Sequence, residues 1–328
     1  MYVVGSTFVD GNGALILKFS STGSLLWQRT WGGNAAAAGV AVGSDGSAYV
    51  TGASRSIGAG EQDVFVLRLS PDGALVWART WGSAASNEEG QGIALGPDGT
   101  VHVAAVAPRG EDPFAFRFDA VVLALDADGN LLRQRAYPAG DQTDARGGIA
   151  VAADGAVYVA GGLQEPSGSS FANDGLLLKI ASDGSLVWAR SSDIGFFDAI
   201  TVAPDGHVVV VGQTSADPGG DAFLLRVGTD GRTATAIGWG GAGLDAGRGA
   251  DVAADGTLSL AAVAEQPPYL LASASGRTSR ARVSVTTPVI PLATATAPLA
   301  DPAGLVETPA GSTTYAGGFE AALVRLAP

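Results

Sequence analysis

Apolar positions along this chain alternate with polar ones in short runs broken by Asp-Gly. The runs are "GVAVGSDGSAYVTG" (39–52), "GIALGPDGTVHVAA" (92–105), "GIAVAADGAVYVAG" (148–161), "AITVAPDGHVVVVG" (199–212) and "GADVAADGTLSLAA" (249–262), with a weaker copy at 304–318. Alternation with a period of two on both sides of an Asp-Gly turn predicts β-hairpins, because glycine adopts positive φ at little steric cost and Asp bonds its own backbone. No stretch competes with a helical period of 3.6 residues.

A second kind of turn alternates with the first. It stands in "SSTGSLLWQRTWG" (20–32), "SPDGALVWARTWG" (70–82), "DADGNLLRQRAY" (126–137) and "ASDGSLVWARSS" (181–192), and more faintly at 228–240 and 273–284. Before these turns lie the apolar runs "ALILKF", "VFVLRL", "AVVLAL", "GLLLKI" and "AFLLRV". Two hairpin turns per period of about 45–56 residues give four strands per repeat, here called A to D with the "GIAL"-like run as A. A four-stranded unit that cannot cover both its faces alone predicts an all-β fold, a β-propeller of four-stranded antiparallel blades in one domain spanning residues 1–328. Strands B to D of a first blade, five full blades and strands A to C of a last one make seven, with six as the alternative. Residues 285–310 carry Pro288, Pro291, Pro298 and Pro302 and no clear repeat, which reads as an irregular insertion.

The stretches "GIALGPDGTVHVAAVA" and "DVFVLRLSPDGALVWARTWG" resemble the SBBP-type β-propeller repeats of bacterial exported and cell-surface proteins. The resemblance spans most of the chain and decays after about residue 230. It implies a propeller fold and an extracellular or cell-surface location, and it implies no shared catalytic residues, since fold alone does not carry function. "TGSLLWQRTWGG" is also similar to the tryptophan-docking repeat of pyrroloquinoline quinone dehydrogenases and outer-membrane assembly lipoproteins. Those dehydrogenases are longer, eight-bladed and use a cysteine pair at the cofactor, whereas this sequence has no Cys.

Composition narrows the partners. The net charge of −13 argues against a nucleic-acid face, which needs clustered basic residues, and against anionic lipid. No run of about 18 uninterrupted apolar residues predicts a membrane-spanning helix, so no membrane insertion is expected. Without Cys there is no disulfide framework, thiolate nucleophile or Cys-based metal site. The chain opens on "MYVVGSTF", inside a repeat, which suggests a mature or excised domain whose export signal lies elsewhere.

Candidate chemistry is sparse. On an alternating strand Trp27, Arg29 and Trp31 share a face, as do Trp77, Arg79 and Trp81. Their recurrence at equivalent positions favours packing between blades over an aromatic sugar platform. Asp63, Asp174, Asp221 and Glu320 each open a strand C and read as acceptors of backbone hydrogen bonds. Asp126, Asp128 and Asn130 alternate as the oxygen ligands of a calcium loop do, although the bidentate Glu that completes such loops is missing and a plain turn is favoured. Apart from calcium, no cofactor is expected. His102 fills the slot of Tyr49 and Tyr158, and with only two histidines a His-based triad or zinc site is disfavoured.

Aligned on the turn glycines, Glu88, Asp144 and Asp245 occupy one position just before strand A. In a propeller they would ring one channel mouth, on the face carrying the D–A and B–C loops, where "SRSIGAGEQ" (54–62), "APRGEDPFAFRF" (107–118) and "LQEPSGSSFAN" (163–173) are the most irregular sequence. These acids are expected to form a polar or cation-binding mouth, and with Phe114, Phe116 and Phe171 as loop anchors they make the expected ligand-binding set. The corresponding function is a non-catalytic exported scaffold for a protein or glycan at the loop face. The alternatives are an envelope assembly scaffold, or a polysaccharide hydrolase or lyase using loop carboxylates.

Overall fold

A computed structural model of the chain describes residues 1–7, 12–84, 86–109, 117–138, 142–164, 173–192, 194–214, 220–232, 234–239, 245–264, 305–306 and 320–326. Among these residues every regular element is a strand. The chain divides into two compact units, Met1–Tyr137 with Ile290–Thr314, and Pro138–Val289 with Tyr315–Pro328.

In the first unit the N-terminal sheet pairs Tyr2–Ser6, Ala14–Phe19 and Leu25–Trp31, and Leu305–Val306 joins its last strand antiparallel. The second sheet runs Ala35–Val42, Ala48–Ser54, Asp63–Leu69 and Leu75–Trp81 as a meander. The third repeats it with Glu89–Leu95, Val101–Pro108, Phe118–Leu125 and Leu131–Tyr137. In the second unit the same order recurs in Gly148–Val151, Val157–Gln164, Asn173–Ile180 and Leu186–Ser192, then in Gly195–Val202, Val208–Thr214, Ala222–Val227 and Ala234–Trp239. A last sheet pairs Asp245–Val252 with Leu258–Ala264, and Leu258–Ala264 with Glu320–Leu326. The sequence pattern instead joins Glu320–Leu326 to the weak copy at 304–318. The free edge of Leu258–Ala264 needs a ladder partner, and the distant strand supplies it in register from Leu258↔Leu326 to Ala264↔Glu320. The turn copy at 273–284 lies outside the described residues, as does nearly all of 285–310.

The turns explain the recurring Asp-Gly. Gly46, Gly99, Gly155, Gly206 and Gly256 have φ between +81° and +83°, while the Asp before each stays at negative φ. Gly43 N–H donates to the Ser47 carbonyl at 2.9 Å, and Gly46 N–H to the Gly43 carbonyl at 2.9 Å. This is a three-residue hairpin closed by a glycine bulge, not a two-residue mirror-image turn. The Asp45 carboxylate accepts Ser47 N–H at 2.9 Å, and Asp98, Asp154, Asp205 and Asp255 repeat the bond.

In the second to fifth sheets strands B and C are buried on both faces, which is why they read as nearly continuous apolar runs. In Asp63–Leu69, Phe65, Leu67 and Leu69 pack with Ile16 and Trp31 of the first sheet, while Val64 and Val66 pack with Val101, Val103 and Leu123 of the third. In the second unit Tyr158, Leu177 and Trp188 meet Val208, Val210 and Phe223, and Val209, Val211 and Leu224 meet Leu260. One strand thus serves two neighbours through its period of two.

Three side chains, one on each of strands B, C and D, stack in register: Tyr2, Lys18 and Trp27; Tyr49, Arg68 and Trp77; Tyr158, Lys179 and Trp188. The cation sits 5.2–5.5 Å from the Tyr ring centroid, and the Tyr rings meet Trp at 5.6, 6.1 and 6.0 Å. In the third sheet all three change together, to His102, Ala124 and Arg133.

Trp and Arg of strand D grip the next sheet's C–D turn. Trp77 Nε1 donates to the Ala127 carbonyl at 3.0 Å and Arg79 Nε to the Gly129 carbonyl at 3.2 Å. Trp27 and Arg29 hold Pro71 and Gly73 in the same way, and Trp188 and Arg190 hold Thr229 and Gly231. Trp31 meets the Phe65 ring at 4.7 Å, and Trp81 Nε1 donates to Gln134 Oε1 at 2.7 Å, so these rings also reach the following sheet.

Candidate functional site

Strand A carries a recurring irregularity that shapes the loop end of the sheets. Its pairing to strand B slips by one residue at Ala38, Gln91, Asp198 and Arg248, a β-bulge at one position in four sheets. Opposite the bulge strand B carries a glycine in two of these sheets and Ala105 or Ala262 in the others; a Cβ on Gly52 would stand 2.0 Å from the Ala36 carbonyl oxygen, and one on Gly212 1.8 Å from that of Phe196. A bulge re-aims the side chain it displaces.

In the first unit two of these re-aimed residues, Ala38 and Gln91, line a cleft of about 370 Å³. Its other walls come from Ser6, Thr7, Asn12, Asn34, Arg55, Gln62 and Glu89, over a floor of Ala35, Ala36, Ala53 and Gly90. The loops that build it are the B–C and D–A connections. Asn12 and Asn34 have φ of +57° and +51°, the left-handed region that Asn tolerates best after glycine. Ala35 N–H donates to the Asn12 carbonyl at 2.8 Å, which ties the first sheet to the second, and Arg55 N–H donates to the Asn34 carbonyl at 2.9 Å, which extends the second sheet's own ladder. Glu89 is held between two amides, Gln62 Nε2 at 2.7 Å and Gln91 Nε2 at 3.0 Å. The cleft therefore offers amide donors and acceptors with one carboxylate and one guanidinium, over a floor of small side chains.

The residues singled out in the sequence fall elsewhere. Glu88 is turned inward and only 4% exposed, whereas its neighbour Glu89 faces the cleft. Ser83 N–H donates to Glu88 Oε2 at 3.3 Å and Ser86 Oγ donates to Oε1. Burial pushes the Glu88 carboxyl above its ordinary range, and Asp63 adds to the effect against these hydrogen bonds. Asp144 and Asp245 belong to the second unit. Asp144 Oδ1 accepts Gly162 N–H at 2.6 Å and Arg146 N–H at 3.2 Å, while Arg146 Nε stands 3.8 Å from Oδ2. Asp245 is buried, and its N–H donates to the Gly220 carbonyl at 2.9 Å. In that unit the bulge residues Asp198 and Arg248 pair at 3.2 Å.

Both Asp126 oxygens serve their own turn: Oδ1 accepts Asp128 N–H at 2.9 Å and Asn130 N–H at 2.8 Å, and Oδ2 accepts Asn130 Nδ2 at 2.8 Å. The Asp128 carbonyl accepts Arg79 Nη2 at 3.2 Å, so the gripping Arg holds this turn too. Phe114, Phe116 and Phe171 lie outside the described residues. Among the described residues no three His, Cys, Asp or Glu side chains converge as a metal site.

A family model described as a β-propeller domain of unknown function, DUF5122, matches residues 43–75 and 203–232. Both segments run from an A–B turn into the C–D region of one sheet. No curated protein matches the sequence. Among solved structures, a protein of unknown function from Bacteroides caccae superposes with a TM-score of 0.51 at 14% identity, covering 79% of this chain and 81% of that one. Another of unknown function, from Dyadobacter fermentans, has a TM-score of 0.49 at 14% identity and covers 85% of each chain. The Dos1 propeller has a TM-score of 0.43 at 8% identity, covering 76% of this chain and 72% of that one. The chain is an all-β protein of antiparallel sheets with the β-propeller fold.

Proposed function

We propose that this protein is a non-catalytic recognition module, exported or displayed at the cell surface, whose loop face binds a protein segment or a glycan. The observation that carries the reading is the amide-lined cleft, where Asn12, Asn34, Gln62 and Gln91 surround Glu89. Amide side chains both donate and accept hydrogen bonds, which suits hydroxyl-rich or peptide ligands, and the small floor allows close approach. The repeats support a scaffold role, because the residues that recur are consumed in tying sheets together and the loops are left to vary. The resemblance to SBBP-type repeats supports export.

Glycan and peptide arrays probed with the wild type and with a Glu89→Ala/Gln91→Ala variant of unchanged melting temperature test this. The reading expects binding by the wild type that the variant loses. Binding retained by the variant, or depolymerisation of a polysaccharide by the wild type, would overturn it.

A further inference from the structure

Next in sequence to the cleft residues Gln62 and Glu89, two acids from neighbouring blades meet out of water. Asp63, the first residue of strand C in the second blade, is 1% exposed, and Glu88, at the entry to the third, is 4% exposed. Gly82 lies against both: a Cβ built on it would stand 2.1 Å from Asp63 Oδ1 and 2.8 Å from Glu88 Oε2. The two oxygens are therefore no farther apart than the sum of those distances. Asp63 Oδ2 accepts Gly60 N–H at 2.9 Å, while Oδ1, fully buried and aimed at Glu88, has no hydrogen-bond donor. Among the described residues neither carboxylate meets a Lys or Arg.

Burying two adjacent carboxylates without a compensating positive charge is strongly unfavourable. The surrounding atoms are mainly oxygens. Gly60 packs against the carbonyls of Ser83 and Ser86, at 2.1 and 3.0 Å from where its Cβ would be, and the Ser83 and Ser86 hydroxyls lie 2.6 Å apart. Carboxylates, carbonyls and hydroxyls drawn from two loops are the ligand set of a hard cation, and calcium accepts them in irregular geometry. We infer that Asp63 and Glu88 are the acidic ligands of a site for one calcium-class divalent cation, which clamps the 57–63 loop of one blade to Ser83, Ser86 and Glu88 on the way into the next. With two carboxylates the site belongs with weak extracellular calcium sites, with a Kd of ~10⁻⁴–10⁻³ M.

The backbone repeats the arrangement once more. Glu88 N–H donates to the Gln62 carbonyl at 2.9 Å, one residue before Asp63, and Asp245 N–H donates at 2.9 Å to Gly220, one residue before Asp221. Each bond brings an acid at the entry of strand A beside the acid that opens strand C of the preceding blade. The inference goes beyond the recognition reading and does not depend on it.

Chelator-treated protein melted with EGTA, with magnesium and with calcium at about 10 mM, above the expected Kd, tests the site. The wild type is expected to melt several degrees higher in calcium than in EGTA. Asp63→Asn and Glu88→Gln should each lose that rise, and calorimetric titration of calcium into Glu88→Gln should show a binding heat smaller than the wild type's. Asp126→Asn should keep the rise. A wild type whose melting ignores calcium would overturn the inference, and a melting temperature that also falls with rising pH would mean that the pair shares a proton instead. A calcium shift retained in both Asp63→Asn and Glu88→Gln would overturn it as well.

Discussion

The six-membered ring of Trp77 lies flat against Gly129, across the boundary between two blades. A Cβ built on that glycine would meet Trp77 Cδ2 at 3.0 Å, and Gly129 holds φ at +80°. Trp27 stands on Gly73 and Trp188 on Gly231 in the same manner. The indole covers the turn while Arg79 and Trp77 bond its carbonyls, so the bare glycine is what lets one blade close on the next.

Truncating the ring removes both the packing and the hydrogen bond. Trp77→Ala and Trp188→Ala should each destabilise the protein by about 3–5 kcal/mol, the scale of large aromatic truncations in cores. Urea denaturation measures the loss.

His102 replaces a Tyr in the stacked triplet and makes its blade sensitive to acid. Burial lowers its pKa from 6.5 to about 4, with Arg133 acting in the same direction and Asp98 opposing. The folded protein therefore holds His102 neutral, and below pH 6.5 the unfolded chain takes up a proton that the folded chain refuses until about pH 4. Stability is full above that upper value and falls through the window, by roughly 1–3 kcal/mol for this one group. Melting curves of the wild type and His102→Phe across this range should diverge as the pH drops, with the variant losing less.

Asn34 uses an uncommon backbone region to build the cleft. Asn34→Gly should be neutral within a few tenths of a kcal/mol, while Asn34→Ala should cost about 1 kcal/mol, because alanine pays the left-handed penalty without the side chain that eases it. Thermal denaturation of the two variants distinguishes them.

The coordinated change in the third blade predicts coupling. His102→Tyr, Ala124→Lys and Arg133→Trp together restore the triplet of the neighbouring blades, and the combined variant should melt higher than the sum of the single changes. In-register partners of this kind couple by about 0.5–3 kcal/mol. A simple sum of the single effects would count against the stacked arrangement.

The architecture was legible because its signals repeat. Five Asp-Gly turns and the Trp-Arg pairs announce hairpins, a period and an inter-blade role for Trp27, Trp77 and Trp188. What receives them could not be read, since Gly73, Gly129 and Gly231 look like ordinary turn glycines until the next blade is placed against the indoles. The site was less legible for a similar reason. Aligning the repeats selects Glu88, but alternation along the strand buries it and presents Glu89 instead. The link between Glu88 and Asp63 spans two loops of different blades. Asn12 and Asn34 enter the cleft through positive φ, and Gln91 through a one-residue slip, neither of which leaves a periodic mark in the sequence.

The central claim is that an indole seated on the bare glycine of the next blade's turn holds neighbouring blades together wherever strand D carries Trp27, Trp77 or Trp188, and a double-mutant cycle on Trp77→Ala and Gly129→Ala tests it most directly. With the indole gone, the added methyl meets no ring, so Gly129→Ala should cost less in the Trp77→Ala background than in the wild type, by about 0.5–3 kcal/mol. Costs that add within about 0.5 kcal/mol would show that the two residues act independently and would contradict the account.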